Sequence, residues 1–179
     1  MVVMRTVVLG PRPPELERLI QRRRELGIDT YDEVWEGSYH VAPAASAAHA
    51  YLDNTLAVLL HPFAKAAGLI GTGPFNLGRS EDYRVPDRGY HRTEPRGTWV
   101  PSAAMIVEIV SPDDETFDKF TFYAAHGVEE ILVADPQKRS LALWRRTPEQ
   151  RYERAAKSAV MDFTVEEVSA AVTWPSLDD

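Results

Sequence analysis

An α/β fold is what this sequence predicts, and three observations carry the prediction. The run Met105 to Val110 is short, rich in isoleucine and valine, and apolar except for Glu108, which favours a central strand. A helical pattern follows it toward Gly127, and Ile131 to Ala134 is a second apolar run. Strand, helix, strand is a crossover unit, which pairs its strands in parallel and is right-handed by default.

From the N-terminus, Pro13 to Leu26 has the period of an amphipathic helix, with Leu16, Leu19, Ile20 and Leu26 on one face and Gly27 as its stop. Glu33 to Val41 alternates Trp35, Gly37, Tyr39 and Val41 and predicts a strand bent at Gly37. From Ala45, an apolar stripe through Ala48, Leu52, Leu56, Leu59 and Phe63 predicts a helix running toward Gly68, with a kink or restart at Pro62 near Leu60. Residues 69–78 suggest strand, turn, strand. The interval Arg88 to Pro101, with two glycines, Pro95 and several charges, predicts an exposed, mobile excursion. Asp113 or Asp114 is the expected cap of the crossover helix, with Phe117, Phe120, Thr121 and Ala124 inward. Ser140 to Arg146 alternates as a strand with a returning partner within 151–158. Thr164 to Glu167 has the spacing of a capping box opening a last short helix.

At 179 residues the chain has the length of one ordinary domain, and a single domain over 1–179 is expected, with a core near 30–172 and residues 1–29 as a helix and arm. The absence of cysteine excludes disulfide frameworks, thiol nucleophiles and thiolate zinc sites. No signal-like segment opens the chain and no run approaches a membrane span, so a cytoplasmic location is expected. A net charge of −7 argues against a protein that mainly coats nucleic acid, although Arg18, Arg22, Arg23 and Arg24 form a local basic group.

The anomaly is Glu108. A carboxylate inside a buried strand costs several kcal/mol unless a cation, a hydrogen-bond network or a proton compensates it. Lys119, on the helix that follows, is the nearest candidate; its alternative is exposed helix pairing with Asp118 or Glu115. Asp87, after Pro86, is either a turn aspartate or a second acid. Two acids and a lysine about one strand end are a short inventory for metal-dependent phosphodiester hydrolysis. Glu36 by itself is an ordinary solvated acid, and His49 in a first helical turn has a structural hydrogen bond as its plain explanation.

The order Trp35-Glu36-Gly37, His49 at a helix head, Val85-Pro86-Asp87, the segment from Val107 to Pro112, then Lys119, Tyr123, Gly127-Val128 and Asp135-Pro136 resembles the Uma-type family of restriction endonucleases, within the wider PD-(D/E)XK nuclease superfamily. The likeness runs from about Asp32 to Arg146. It implies a restriction-endonuclease-like mixed β-sheet flanked by helices, with Asp87 as the first motif acid and Glu108 as the second. It further implies that both carboxylates and the main-chain carbonyl of Ile109 hold Mg²⁺ or Mn²⁺, hard cations suited to oxygen ligands. Two residues after Glu108 stands Val110, where the superfamily places lysine; the Uma-type pattern carries that lysine in the next helix, at Lys119. Glu36 matches an acid that binds metal through water, and His49 a family histidine. Tyr123 is left to hydrogen-bond the site or to pack.

The resemblance implies a divalent-metal-dependent endonuclease with DNA as substrate, leaving a 5′-phosphate and a 3′-hydroxyl. The alternative is a catalytically inactive nuclease-fold module that binds nucleic acid or a protein, fed by the acidic total and the displaced lysine. Symmetry of double-strand cleavage favours a homodimer.

Overall fold

The computed structural model describes residues 7–8 by backbone alone, and residues 13–42, 45–111 and 115–176 in full. Its elements are β1 (Val7–Val8), α1 (Pro14–Leu26), β2 (Glu33–Trp35), β3 (Ser38–His40), α2 (Ala47–Ala66), β4 (Ile70–Thr72), β5 (Asn76–Arg79), β6 (Asp82–Arg84), β7 (Arg88–His91) and β8 (Trp99–Val100). There follow β9 (Met105–Ile109), a 3-10 turn (Thr116–Lys119), α3 (Phe120–Ala125), β10 (Glu130–Asp135), β11 (Ser140–Arg146), β12 (Tyr152–Ala155) and α4 (Val165–Ala171).

The strands form two mixed sheets rather than one. The first has the order β1-β3-β2-β6-β5-β8 and the second β12-β11-β10-β9-β7-β4. The crossover unit is as the sequence predicts: β9 and β10 pair in parallel, Met105 opposite Glu130 through Ile109 opposite Ala134. β11 returns antiparallel to β10, and β12 to β11. Alternation then sorts β9 onto two faces. Met105, Val107 and Ile109 face Leu52, Leu56 and Leu60 of α2 and Val168 of α4. Ile106 faces the other way, with Phe122 and Tyr123 of α3 and Leu77 of β5. Glu108 shares the parity of Ile106, so its carboxylate enters the α3 side.

Several expectations are corrected. The predicted bent strand Glu33 to Val41 is a hairpin of β2 and β3, because Glu36 (φ 48°) and Gly37 (φ 89°) both take the left-handed backbone of a two-residue type I′ turn. The helix α2 runs through Pro62 without restarting. Pro62 and Val58 lie on the exposed side, so the carbonyl left without a donor by the missing N–H is on the face open to solvent. The apolar stripe of α2 is Leu52, Leu56, Leu60 and Ala64, with Leu59 and Phe63 at its margin. In α1 only Ile20 is buried; Leu19 and Leu26 are half exposed.

The predicted excursion Arg88 to Pro101 is largely sheet. β7 pairs with both β9 and β4, and Gly89, Tyr90 and His91 are buried. Two of its polar side chains are held internally: Arg88 forks onto Asp53 of α2 at 2.8 Å twice, and His91 Nε2 lies 3.1 Å from Thr72 Oγ1. Gly89 is required by packing, since a Cβ there would lie 2.4 Å from the Phe75 ring and 2.8 Å from His91 Nε2.

The helix after β9 begins as a 3-10 turn, and the tighter winding turns a different face inward. Thr116, Lys119, Phe122, Tyr123 and Ala124 are buried, while Phe117 and Thr121 are exposed. The expected caps Asp113 and Asp114 lie outside the described residues. At the C-terminal end the capping box of Thr164 and Glu167 is present in both directions. Among the described residues no helix is long and apolar enough to cross a membrane.

Candidate active site

The chain leaves the first sheet at Arg84, passes through Val85-Pro86-Asp87 and enters the second sheet at Arg88. β7 pairs antiparallel with β9, Arg88 opposite Val107. One residue beyond that last pair, the register sets Asp87 opposite Glu108. Directly opposed residues of an antiparallel pair share a face and lie close together. The Asp87 carboxylate also reaches along β9, where its Oδ2 accepts the Ile109 backbone N–H at 2.7 Å. Its Oδ1 lies 2.8 Å from His49 Nε2.

His49 is delivered by the start of α2. Ser46 caps that helix by accepting the His49 N–H at 3.1 Å. Four residues on, Asp53 holds Arg88, so one helical turn grips two consecutive residues, Asp87 and Arg88. Burial disfavours the His49 imidazolium, but Asp87 outweighs it and raises the histidine above its usual value.

Glu108 is 3% exposed, and its Oε1 accepts the Tyr123 hydroxyl in a short hydrogen bond. Lys119 Nζ stands 3.5 Å from the same oxygen. Arg84 is engaged elsewhere: its guanidinium is sandwiched between Trp35 and Phe122 at 4.5 and 4.0 Å and donates to the Val34 carbonyl. Burial is the main cause pushing the Glu108 carboxyl up to about 8; Lys119 and the Tyr123 hydroxyl oppose it, while Asp87 and Glu33 add to it. For Lys119, burial disfavours the ammonium, but Glu108 and Glu33 outweigh it and hold the group charged. Tyr123, fully buried beside Glu108, is pushed well above its usual value and stays a donor.

Of the residues singled out by sequence, the fold brings Asp87, Glu108, Lys119, His49 and Tyr123 into one connected network. Glu36 is not among them. It sits on the exposed hairpin turn, its backbone N–H donating to Asp82 Oδ1 at 3.1 Å. The early acid that does join is Glu33, which is not among the residues singled out by sequence. It is 7% exposed and its Oε1 lies 3.0 Å from Lys119 Nζ. The signal was available in the same form as for Glu108, a carboxylate next to apolar strand residues, here Val34 and Trp35.

Among the described residues no group of three or more His, Asp or Glu side chains has the arrangement of a metal cage. The donor chemistry nevertheless fits a hard divalent ion. Three carboxylates, Glu33, Asp87 and Glu108, are gathered around one ammonium, an excess of negative charge that lifts Glu108. Mg²⁺ is commonly held by one or two carboxylates together with substrate phosphate rather than by an all-protein cage. Each oxygen of Asp87 retains a second lone pair beyond the contacts above. The basic cleft of about 420 Å³ beside β11 and β12 is a different place, where Arg145 is tied to Glu130, Lys157 to Asp162, and Arg154 lies over the Trp144 ring.

A model of the Uma2 family, described as "Putative restriction endonuclease", matches residues 15–172. Among solved structures, a "putative nuclease belonging to DUF820" from Anabaena variabilis aligns with a TM-score of 0.62 at 14% identity, covering 78% of this chain and 90% of that one. At that identity the likeness speaks for a shared fold. A search of curated proteins gave no match.

Proposed function

The chain belongs to the Uma2 family, and from that premise we propose that it is a divalent-metal-dependent endonuclease that hydrolyses DNA phosphodiester bonds. The observation that carries this reading is the hydrogen bond by which Asp87 accepts the Ile109 N–H at 2.7 Å, next to Glu108 on β9, with the buried Lys119 ammonium 3.5 Å from that second acid. Asp87 and Glu108, with the main-chain carbonyl of Ile109, are the groups that would hold Mg²⁺ or Mn²⁺. When bound, such an ion supplies neutralisation of the phosphate and a water of lowered pKa.

The chain's own residues do the rest. Lys119 presents a fixed positive charge where negative charge develops on the phosphoryl oxygens, stabilisation that needs no reorganisation during the reaction. Tyr123 pins the Glu108 carboxylate, and His49 with the Ile109 N–H fixes the rotamer of Asp87. Water adds to phosphorus, the bond from phosphorus to the 3′-oxygen breaks, and a 5′-phosphate and a 3′-hydroxyl result. Cleavage of both strands would use a two-fold pair of chains.

A second reading keeps the fold as an inactive module that binds nucleic acid or a protein. It is favoured by the absence of a three-donor cage among the described residues. Supercoiled plasmid with Mn²⁺ or Mg²⁺ decides between the two. The wild type is expected to nick it, and Asp87→Ala, Glu108→Ala and Lys119→Ala to do so at least ~100-fold more slowly, the scale set by loss of one preorganised charge. Equal nicking by all four proteins, or none by any, refutes the catalytic reading.

A further inference from the structure

Glu33 gathers three donors from three parts of the chain. Its Oε2 accepts the Trp35 indole N–H at 2.6 Å within the hairpin. Its Oε1 accepts the Val85 backbone N–H at 2.8 Å, fifty-two residues away, and meets Lys119 Nζ at 3.0 Å. Val85 stands two residues before Asp87, in the segment that joins the two sheets. The contact from Lys119 to Glu108, at 3.5 Å, is the longer one, so the ammonium is located chiefly by Glu33.

We propose that Glu33 is a positioning residue, its carboxylate tying Lys119 and the Val85–Asp87 segment to one point so that the ammonium keeps a fixed place relative to Asp87 and Glu108. The proposal rests on the nuclease reading for its catalytic consequence, but its geometric content is independent of it. With two donors on Oε1 and the indole on Oε2, the carboxylate has most of its lone pairs engaged, which separates its role from ligand duty. A carboxylate is also the only side chain that accepts on both oxygens. A glutamine here must set an NH₂ against either the indole or the Val85 and Lys119 donors.

The test uses the full chain with Glu33→Gln, Lys119→Met, and both together. Trp35→Phe/Glu33→Gln is added as a variant in which the amide NH₂ faces no donor. Glu33→Gln is expected to lower kcat on plasmid by about 10- to 100-fold, the loss typical of a displaced catalytic group. KM for DNA should stay nearly unchanged. In the Lys119→Met background the same change should alter the rate by less than about twofold, because residues acting through one another are not additive. Trp35→Phe/Glu33→Gln should recover part of the loss.

A second readout needs no activity. The Lys119 ammonium resonance in ¹H–¹⁵N spectra, assigned by its loss in Lys119→Met, should be sharp in the wild type and broadened in Glu33→Gln. Multiplicative rate losses, or an unchanged ammonium resonance in folded Glu33→Gln, overturn the proposal. A wild type that cleaves nothing overturns the nuclease reading instead, and the positioning role then stands or falls on the resonance alone.

Discussion

Replacing Glu108 by glutamine tests the electrostatics of the site most directly. The carboxyl is 3% exposed and pushed from its ordinary 4.5 up to about 8, with burial the largest cause. Between those two values the folded protein holds a proton that the unfolded chain has released, so stability must fall as pH rises across that window. At 1.36 kcal/mol per tenfold change in proton affinity, the full effect at pH 8 is on the order of 5 kcal/mol. Glutamine keeps an Oε1 acceptor for the Tyr123 hydroxyl and has no charge to lose. Urea unfolding of the metal-free protein from pH 5 to 8.5 should therefore show the wild type losing stability relative to Glu108→Gln as pH rises. The comparison cancels groups that titrate there independently of Glu108, such as His91, lowered by burial; His49, raised chiefly by Asp87, also feels the Glu108 charge and cancels only in part. At pH 8, Mg²⁺ or Mn²⁺ at 100 times its Kd should return ~2.7 kcal/mol to the wild type and less to the variant. Parallel pH profiles for the two proteins would refute the argument.

Other outcomes follow from the same contacts. His49→Ala removes a histidine whose folded value is raised, so the lost stability is largest below its ordinary value of 6.5 and fades as pH climbs through the folded value. Its size should be about 2 kcal/mol, that of a hydrogen bond to a charged group, read from urea midpoints at pH 5.5 and 8.5. Gly89→Ala forces a Cβ against Phe75 and His91 and should cost about 1–3 kcal/mol, visible as a lower Tm. Thr164→Ala breaks the capping box of α4 and should cost about 1 kcal/mol, with faster amide exchange confined to that helix and its contacts.

The parts of the molecule legible from sequence are those where one local rule acts alone. The apolar run of β9, its crossover to β10 and the Thr164 capping box were each specified by a few adjacent residues. Glu108 was conspicuous because a charge in such a run demands a partner, and Lys119 and Tyr123 provide it. Legibility failed where distant groups decide. Arg88 and His91 made β7 resemble a loop because nothing local reveals Asp53 and Thr72 as their partners. Glu-Gly is a weaker turn signal than Asn-Gly, so the hairpin resembles one strand in sequence, and Glu36 stands out there ahead of Glu33. The inward face of the turn at Thr116–Lys119 was missed because 3-10 winding shifts the helical period.

The passage through Val85, Pro86 and Asp87 is one of the joints at which the backbone passes from one sheet to the other. A ligand seated on Asp87 therefore loads both sheets simultaneously, through Tyr83 opposite Val34 on one side and Arg88 opposite Val107 on the other. Occupancy should register as slowed amide exchange in strands as far apart as β2 and β9, a footprint much wider than the few side chains it touches.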